Sequence, residues 1–290
     1  MNKKYIFTDL VCETTVAETN VSADDVEYER TEKHGFEIHR MNVKTNIGEK
    51  TVGVTIGKYS TVYFDKITNA EEDTQNSLSL VISDEISSML PQQCNSILVA
   101  GLGNKYMTSD SIGPKTVSKL CITRHISLYH KDIFDTMNTK KVSALAPGVL
   151  SQTGIESAEI FSGMCKRIKP DAVIVIDSLC ARAPERLAST VQISNVGIVP
   201  GGGIGNKRSK IDEQGLGCTV ISVGVPTIVS SSTLVHDALQ KCESMTGSEN
   251  LNSILENGKS FYVTINEIDE ITDYMSDILS NSINYVAESS

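Results

Sequence analysis

Two aspartates, Asp110 and Asp177, have the side chains and setting that could carry bond-breaking chemistry in this chain. Ser96-Ile-Leu-Val-Ala-Gly-Leu-Gly-Asn104 is a short apolar run ending in glycines, and the loop behind it holds Asp110. Val173-Ile-Val-Ile-Asp177 repeats the pattern, with an aspartate where the run stops. Both read as buried strands meeting turns. In an open parallel sheet, ligands gather just past the carboxyl ends of strands. Two carboxylates 67 residues apart are therefore expected to face each other across one cleft. Such a pair can share a proton, one acting as general base on water and the other as general acid. Spacing alone leaves a plainer arrangement open, in which Asp110 caps the helix at Pro114 and Asp177 orders a turn.

Other chemistries find less support. Gly101-Leu-Gly-Asn-Lys-Tyr106 departs from a dinucleotide-binding G-x-G-x-x-G, because Tyr106 stands where the third glycine would allow close packing. Gly203-Ile-Gly-Asn-Lys-Arg208 ends in the wrong residues for a phosphate loop, and there is no G-x-S-x-G or HExxH. His34, His39, His125, His130 and His236 have no zinc-site spacing, so neither metal nor cofactor is expected.

The elements that must position the aspartates follow from hydrophobic periodicity. Residues 96 to about 242 alternate apolar strands with helical segments, the pattern of a doubly wound, mostly parallel α/β sheet. Strands are expected at 96–100, 172–176, 191–194 and 219–226, with helices from near Pro114, over 155–168 and over 231–242. Ser143 to Gly154 and the glycine stretch Val199 to Arg208 read as loops. Upstream, 36–43, 51–56 and 61–67 read as hairpin strands within a β-rich subregion, 35–68. A helix follows with Asn69 as its N-cap, ending at Pro91. Residues 261–286 supply a last strand and an amphipathic helix, 244–259 a surface loop, and 1–33 a frayed or loosely docked polar terminus.

Composition narrows the class of protein. A length of 290 residues with 40% apolar content suits a globular fold with a substantial core. The net charge of −10 argues against binding nucleic-acid backbones or an anionic membrane surface. Seven cysteines, an odd number with no CxxC, fit buried thiols in a reducing cytoplasm. No signal peptide is evident, and no apolar run reaches the roughly 20 residues that cross a bilayer.

Several stretches together resemble the germination protease family of spore-forming Firmicutes. They include Phe7-Thr-Asp-Leu-Val-Cys-Glu13, Val99-Ala-Gly-Leu-Gly-Asn104 through Asp110-Ser-Ile-Gly-Pro114, and Val117 through Thr123-Arg-His125. Ala144 to Val149, Gln152 to Glu156, Lys169 to Asp177 and Ala181-Arg182 continue the match. Gln192-Ile-Ser194, Gly197-Ile198, Pro200-Gly201, Gly203, Gly205 to Arg208 and Val223 to Thr227 complete it. Tyr106 and Met107 vary the glycine turn.

The resemblance implies an atypical aspartic endopeptidase, a homotetramer on a core similar to the hydrogenase-maturation peptidases. It implies degradation of small acid-soluble spore proteins in the forespore or spore core, with no cofactor. The family aspartates fall on Asp110 and Asp177. Gly103, Asn104, Lys207 and Arg208 are expected substrate contacts, the last two binding acids beside the scissile bond or else standing as solvated surface charges. A self-processing zymogen is also implied. Thr8-Asp-Leu-Val-Cys-Glu13 follows the chemical order of the family's substrate site, so self-cleavage is expected between Asp9 and Leu10. That leaves 1–9 as propeptide and 10–290 as a single peptidase domain. Two rivals are a nickel-dependent maturation endopeptidase and a catalytically inactive spore-core binding protein.

Overall fold

The computed structural model describes residues 8–13, 22–65, 70–202, 208–240 and 261–288. Its centre is built from apolar runs buried on both faces. They form strands β4 (Ser96–Gly101), β6 (Ala172–Ala181) and β8 (Thr219–Ser230), paired in parallel, with β5 (Lys141–Leu145) added in parallel at the edge. An antiparallel wing continues the same sheet through β7 (Thr190–Ser194), β3 (Gly57–Tyr63), β2 (Phe36–Val43) and β1 (Val26–Lys33). The short β9 (Tyr262–Val263) lies against the end of β8, and the order is β1-β2-β3-β7-β8-β6-β4-β5.

Helices cover both faces, as a doubly wound fold requires. On one side pack α2 (Glu72–Ser87), α3 (Ile112–Lys119) and α10 (Ile268–Glu288). Leu78, Ile82, Met275 and Leu279 meet Ile97, Val99, Ile174 and Ile176 there, each fully or almost fully buried. On the other side α7 (Ser157–Ile168) sets Phe161 and Cys165 against Leu98, Ala100, Val173 and Val175. Each such buried aliphatic or aromatic side chain contributes about 1.5–3 kcal/mol. Shorter helices complete the chain: α1 (Asn46–Val52), α4 (Arg124–Tyr129), α5 (Lys131–Met137), α6 (Leu150–Thr153), α8 (Glu213–Leu216) and α9 (Ser231–Gln240).

Several local expectations need correction. Residues 51–56 are not a strand. Thr45 accepts the Gly48 N–H at 3.1 Å as N-cap, Gly53 closes the helix at φ 76°, and α1 lies between them. Ser143 to Leu145 belong to β5 rather than to a loop. Helix α2 begins after Glu71, while Asn69, the expected cap, lies outside the described residues, as does 244–259. Nor is the N-terminal region simply frayed. Residues 26–33 form β1, an edge strand whose charged, exposed side chains discourage further pairing.

Candidate active site

The cleft opens where β4 and β6 end. Gly101 is registered against Ile176, and the Leu102 N–H extends the ladder to the Ile176 carbonyl at 2.8 Å, so Asp177 is the next residue out. Beyond β4 the chain turns at Gly103, whose φ of 108° suits glycine. It circles through Asn104 to Met107 and returns in a 3-10 turn, Thr108–Asp110, just before α3. Asp110 is thus held at the mouth of β4. The Asn104 N–H donates to its Oδ2 at 2.9 Å. Thr227 of β8 steadies the same turn by donating to the Ser109 carbonyl at 2.7 Å.

Asp110 and Asp177 line one cleft of about 170 Å³, together with Gly103, Ser178, Gly201 and Arg208. Asp177 is 5% exposed, on the same sheet face as Leu179. Its Oδ1 accepts the Ser178 N–H at 2.9 Å. Burial pushes the Asp110 carboxyl up to about 6, against the Asn104 N–H and the Arg208 charge, which pull it down. Asp177 is driven well above the usual carboxylate range, first by burial, then by the negative charges of Asp110 and Asp9. Each of these effects opposes the ionised form. The pair can therefore hold one proton near neutrality, as acid–base chemistry on a bound water requires.

The N-terminal segment Thr8–Glu13 is docked into this region. The Asp9 N–H donates to the Cys180 carbonyl, and the Cys180 N–H returns to the Asp9 carboxylate, both at 2.8 Å. Leu10 is buried among Leu179, Ala181 and Val229. The Glu13 carboxylate accepts the Arg182 and Ala183 N–H groups, each at 2.8 Å, and the Thr8 hydroxyl. Asp9, the residue before the predicted scission point, lines the cleft that holds the carboxylate pair.

The other expected contacts divide. Gly103 and Arg208 border the cleft, and Lys207 lies outside the described residues. Asn104 is engaged in its own loop: its N–H serves Asp110, and its Oδ1 accepts from Tyr106 N and from Gln152 Nε2. Two further residues belong to this region. Ser178 lines the cleft with its Oγ buried and without a hydrogen-bond partner among the described residues, and Gln192 touches the docked segment. Neither has a signal in its local sequence, because each is defined by strand register. Among the described residues no group of three or more His, Cys, Asp or Glu side chains is placed to hold a metal ion. No helix among them is long and apolar enough to cross a membrane.

Residues 8–253 match the family Peptidase_A25, germination protease. The germination protease of Clostridium perfringens is 39% identical over 244 residues, covering 83% of this chain and 73% of that one. The germination protease of Clostridium acetobutylicum is 36% identical over 286 residues, 97% of this chain and 84% of the relative. The Bacillus subtilis germination protease is 38% identical over 250 residues, 82% and 67% of the two chains. Among solved structures, the [NiFe] hydrogenase maturation protease HycI from Thermococcus kodakarensis KOD1 aligns over 69% of this chain and 98% of its own, at 15% identity and a TM-score of 0.34. The extended match to the family and its relatives means that this chain belongs to the germination protease family and is a peptidase, a hydrolase of the spore-germination context.

Proposed function

We propose that the chain is an aspartate-dependent endopeptidase that initiates breakdown of small acid-soluble spore proteins, made as a zymogen that trims itself between Asp9 and Leu10. The observation that carries this reading is the meeting of Asp110 and Asp177 in one cleft, where burial raises the cost of ionising both and the charge of Asp110 adds to it for Asp177. The more deeply buried Asp177 keeps the shared proton, and Asp110 is the carboxylate. A water between them gives a proton to Asp110 as its oxygen bonds to the scissile carbonyl carbon. Asp177 then passes its proton to the departing amide nitrogen as the C–N bond breaks. Arg208 holds positive charge near both carboxylates, in a cleft that Asp9, the acidic residue preceding the bond, also lines.

Docking of Thr8–Glu13 supports the zymogen: a segment of acid, apolar residue, two small residues and acid occupies the groove that a substrate of the same order would need. In this reading residues 1–9 are the propeptide, the working form is a homotetramer, and the site is the spore core. Incubation of the purified chain with an acid-soluble spore protein, alongside Asp110→Asn and Asp177→Asn, tests it. Wild-type cleavage should appear and both variants should be inactive yet folded. Near-normal activity in either variant sinks the proposal.

A further inference from the structure

The side chain of Gln192 makes two hydrogen bonds to the docked segment, both to backbone. Its Nε2 donates to the Asp9 carbonyl at 2.9 Å, and its Oε1 accepts the Val11 N–H at 2.6 Å. These groups belong to the residue before the expected scissile bond and to the second residue after it. Gln192 reaches them from across the sheet. In β7 it is registered against Gly224 of β8, and Gly224 is registered in turn against Asp177 of β6. Registered partners project to the same face of a sheet. Gln192 and Asp177 thus flank one channel, with Leu179 leaning over Gly224 between them, where an added Cβ would meet it at 2.5 Å. On the far side of Asp9 the channel widens into a cavity of about 530 Å³, bounded in part by Val11, Tyr59, Gln192, Ser194 and Ser222.

We propose that Gln192 is the residue by which the peptidase grips its substrate at the scissile bond. Its carboxamide holds an extended peptide through one carbonyl and one N–H, so the grip is indifferent to side chains. The donor half is aimed at the carbonyl oxygen that becomes an oxyanion when water adds. A neutral N–H in that position stabilises the developing charge without giving up its proton. The acceptor half fixes the chain beyond the bond and keeps the carbonyl in register with the carboxylates. This assignment rests on the Asp110–Asp177 reading and on scission at Asp9–Leu10.

The test uses the full chain with Gln192→Glu and Gln192→Ala, beside Asp110→Asn. Self-trimming is followed by mass spectrometry, and a synthetic peptide of the sequence Tyr5 to Val16 serves as substrate in trans. Gln192→Glu retains the acceptor and loses the donor, so kcat should fall by about 100-fold with KM changed far less. Gln192→Ala loses both, so kcat should fall and KM rise. Thermal melts of both variants at the wild-type temperature keep the comparison interpretable. Wild-type rates in both Gln192 variants, with Asp110→Asn inactive, would overturn the assignment of Gln192 alone. Wild-type rates in all three would overturn the aspartate reading beneath it.

Discussion

Gly103 and Asp110 are in backbone contact: a Cβ on residue 103 would lie 2.1 Å from the Asp110 carbonyl oxygen and 2.9 Å from its Oδ1. The position of the carboxylate therefore depends on the absence of a side chain seven residues earlier. With φ at 108°, residue 103 is also in a conformation that other residues rarely adopt. Gly103→Ala should leave the sheet intact, since the turn lies beyond the end of β4, yet displace Asp110. A shift of about 1 Å at a reacting group costs about 100-fold in rate. Self-trimming at Asp9–Leu10 should slow by that order while the far-ultraviolet circular dichroism is unchanged. Trimming at the wild-type rate would show that the contact does not set the carboxylate.

Activity should depend on pH through this same carboxylate. With Asp110 at about 6 and the more deeply buried Asp177 driven well above the usual carboxylate range, the proposed roles predict that the rate climbs as pH rises through about 6, where Asp110 ionises. It should fall again as Asp177 loses its proton, and the two limbs belong to the pair rather than to either residue alone. A pH–kcat profile on the trans peptide checks this. A flat profile between pH 5 and pH 7 would contradict it.

The carboxylates should also weaken the fold. A carboxyl whose pKa is higher in the folded than in the unfolded chain lends its stability below the unfolded value, and that stability is lost as pH rises through the folded one. For Asp110 the window runs from 3.8 to about 6. Asp110→Asn, which can still accept the Asn104 N–H, should therefore be more stable than wild type at pH 7.5, by about 1–3 kcal/mol. The difference should vanish near pH 4. Urea unfolding at both pH values decides it, and equal stability at pH 7.5 would refute it.

Much of this arrangement was legible in the sequence because parallel strands are buried on both faces. Ile97 to Ala100 and Val173 to Ile176 are unbroken apolar runs, so their ends, and hence both aspartates, could be found by inspection. The misread stretches are those where one-dimensional pattern and environment diverge. Thr51-Val-Gly-Val-Thr-Ile56 alternates like a strand, but only Val52 of α1 is a buried aliphatic, and the caps at Thr45 and Gly53 decide the structure. Val26–Lys33 carries five charged residues among its eight and reads as a solvated terminus, although at an edge that composition is compatible with pairing. Gln192 reaches Asp9 across 183 positions and Glu13 reaches Ala183 across 170, relations that depend on how the chain is folded back.

Glu13 should act as the anchor of the docked segment. Its carboxylate accepts two N–H groups, from Arg182 and Ala183, and charge-assisted bonds of this kind are worth about 1.5–3 kcal/mol each. Glu13→Ala removes the acceptor from both donors at once. Hydrogen exchange at the Arg182 and Ala183 amides should quicken by at least tenfold, and trimming at Asp9–Leu10 should slow because the scissile bond is no longer held. Glu13→Asp, one methylene shorter, should give a partial effect. Unchanged exchange in Glu13→Ala would mean that the contacts of Asp9, Leu10 and Val11 suffice to retain the segment.

Arg208 provides the sharpest electrostatic test, because its charge lowers the pKa of Asp110 and of Asp177 together. Replacing it with glutamine removes a cation from beside two acids without altering either one. Both carboxyls then become harder to ionise, so the lower limb of the pH–rate profile should move above about 6. Arg208→Lys keeps the charge and should leave the limb near its wild-type position, even if a point charge binds an acidic substrate less well than a planar guanidinium. High salt screens exposed charges more than buried ones. Wild type in 1 M salt should therefore shift in the same direction as Arg208→Gln, but by less. An unmoved limb in Arg208→Gln would mean that the guanidinium does not govern ionisation of the pair, and its role would then be confined to binding.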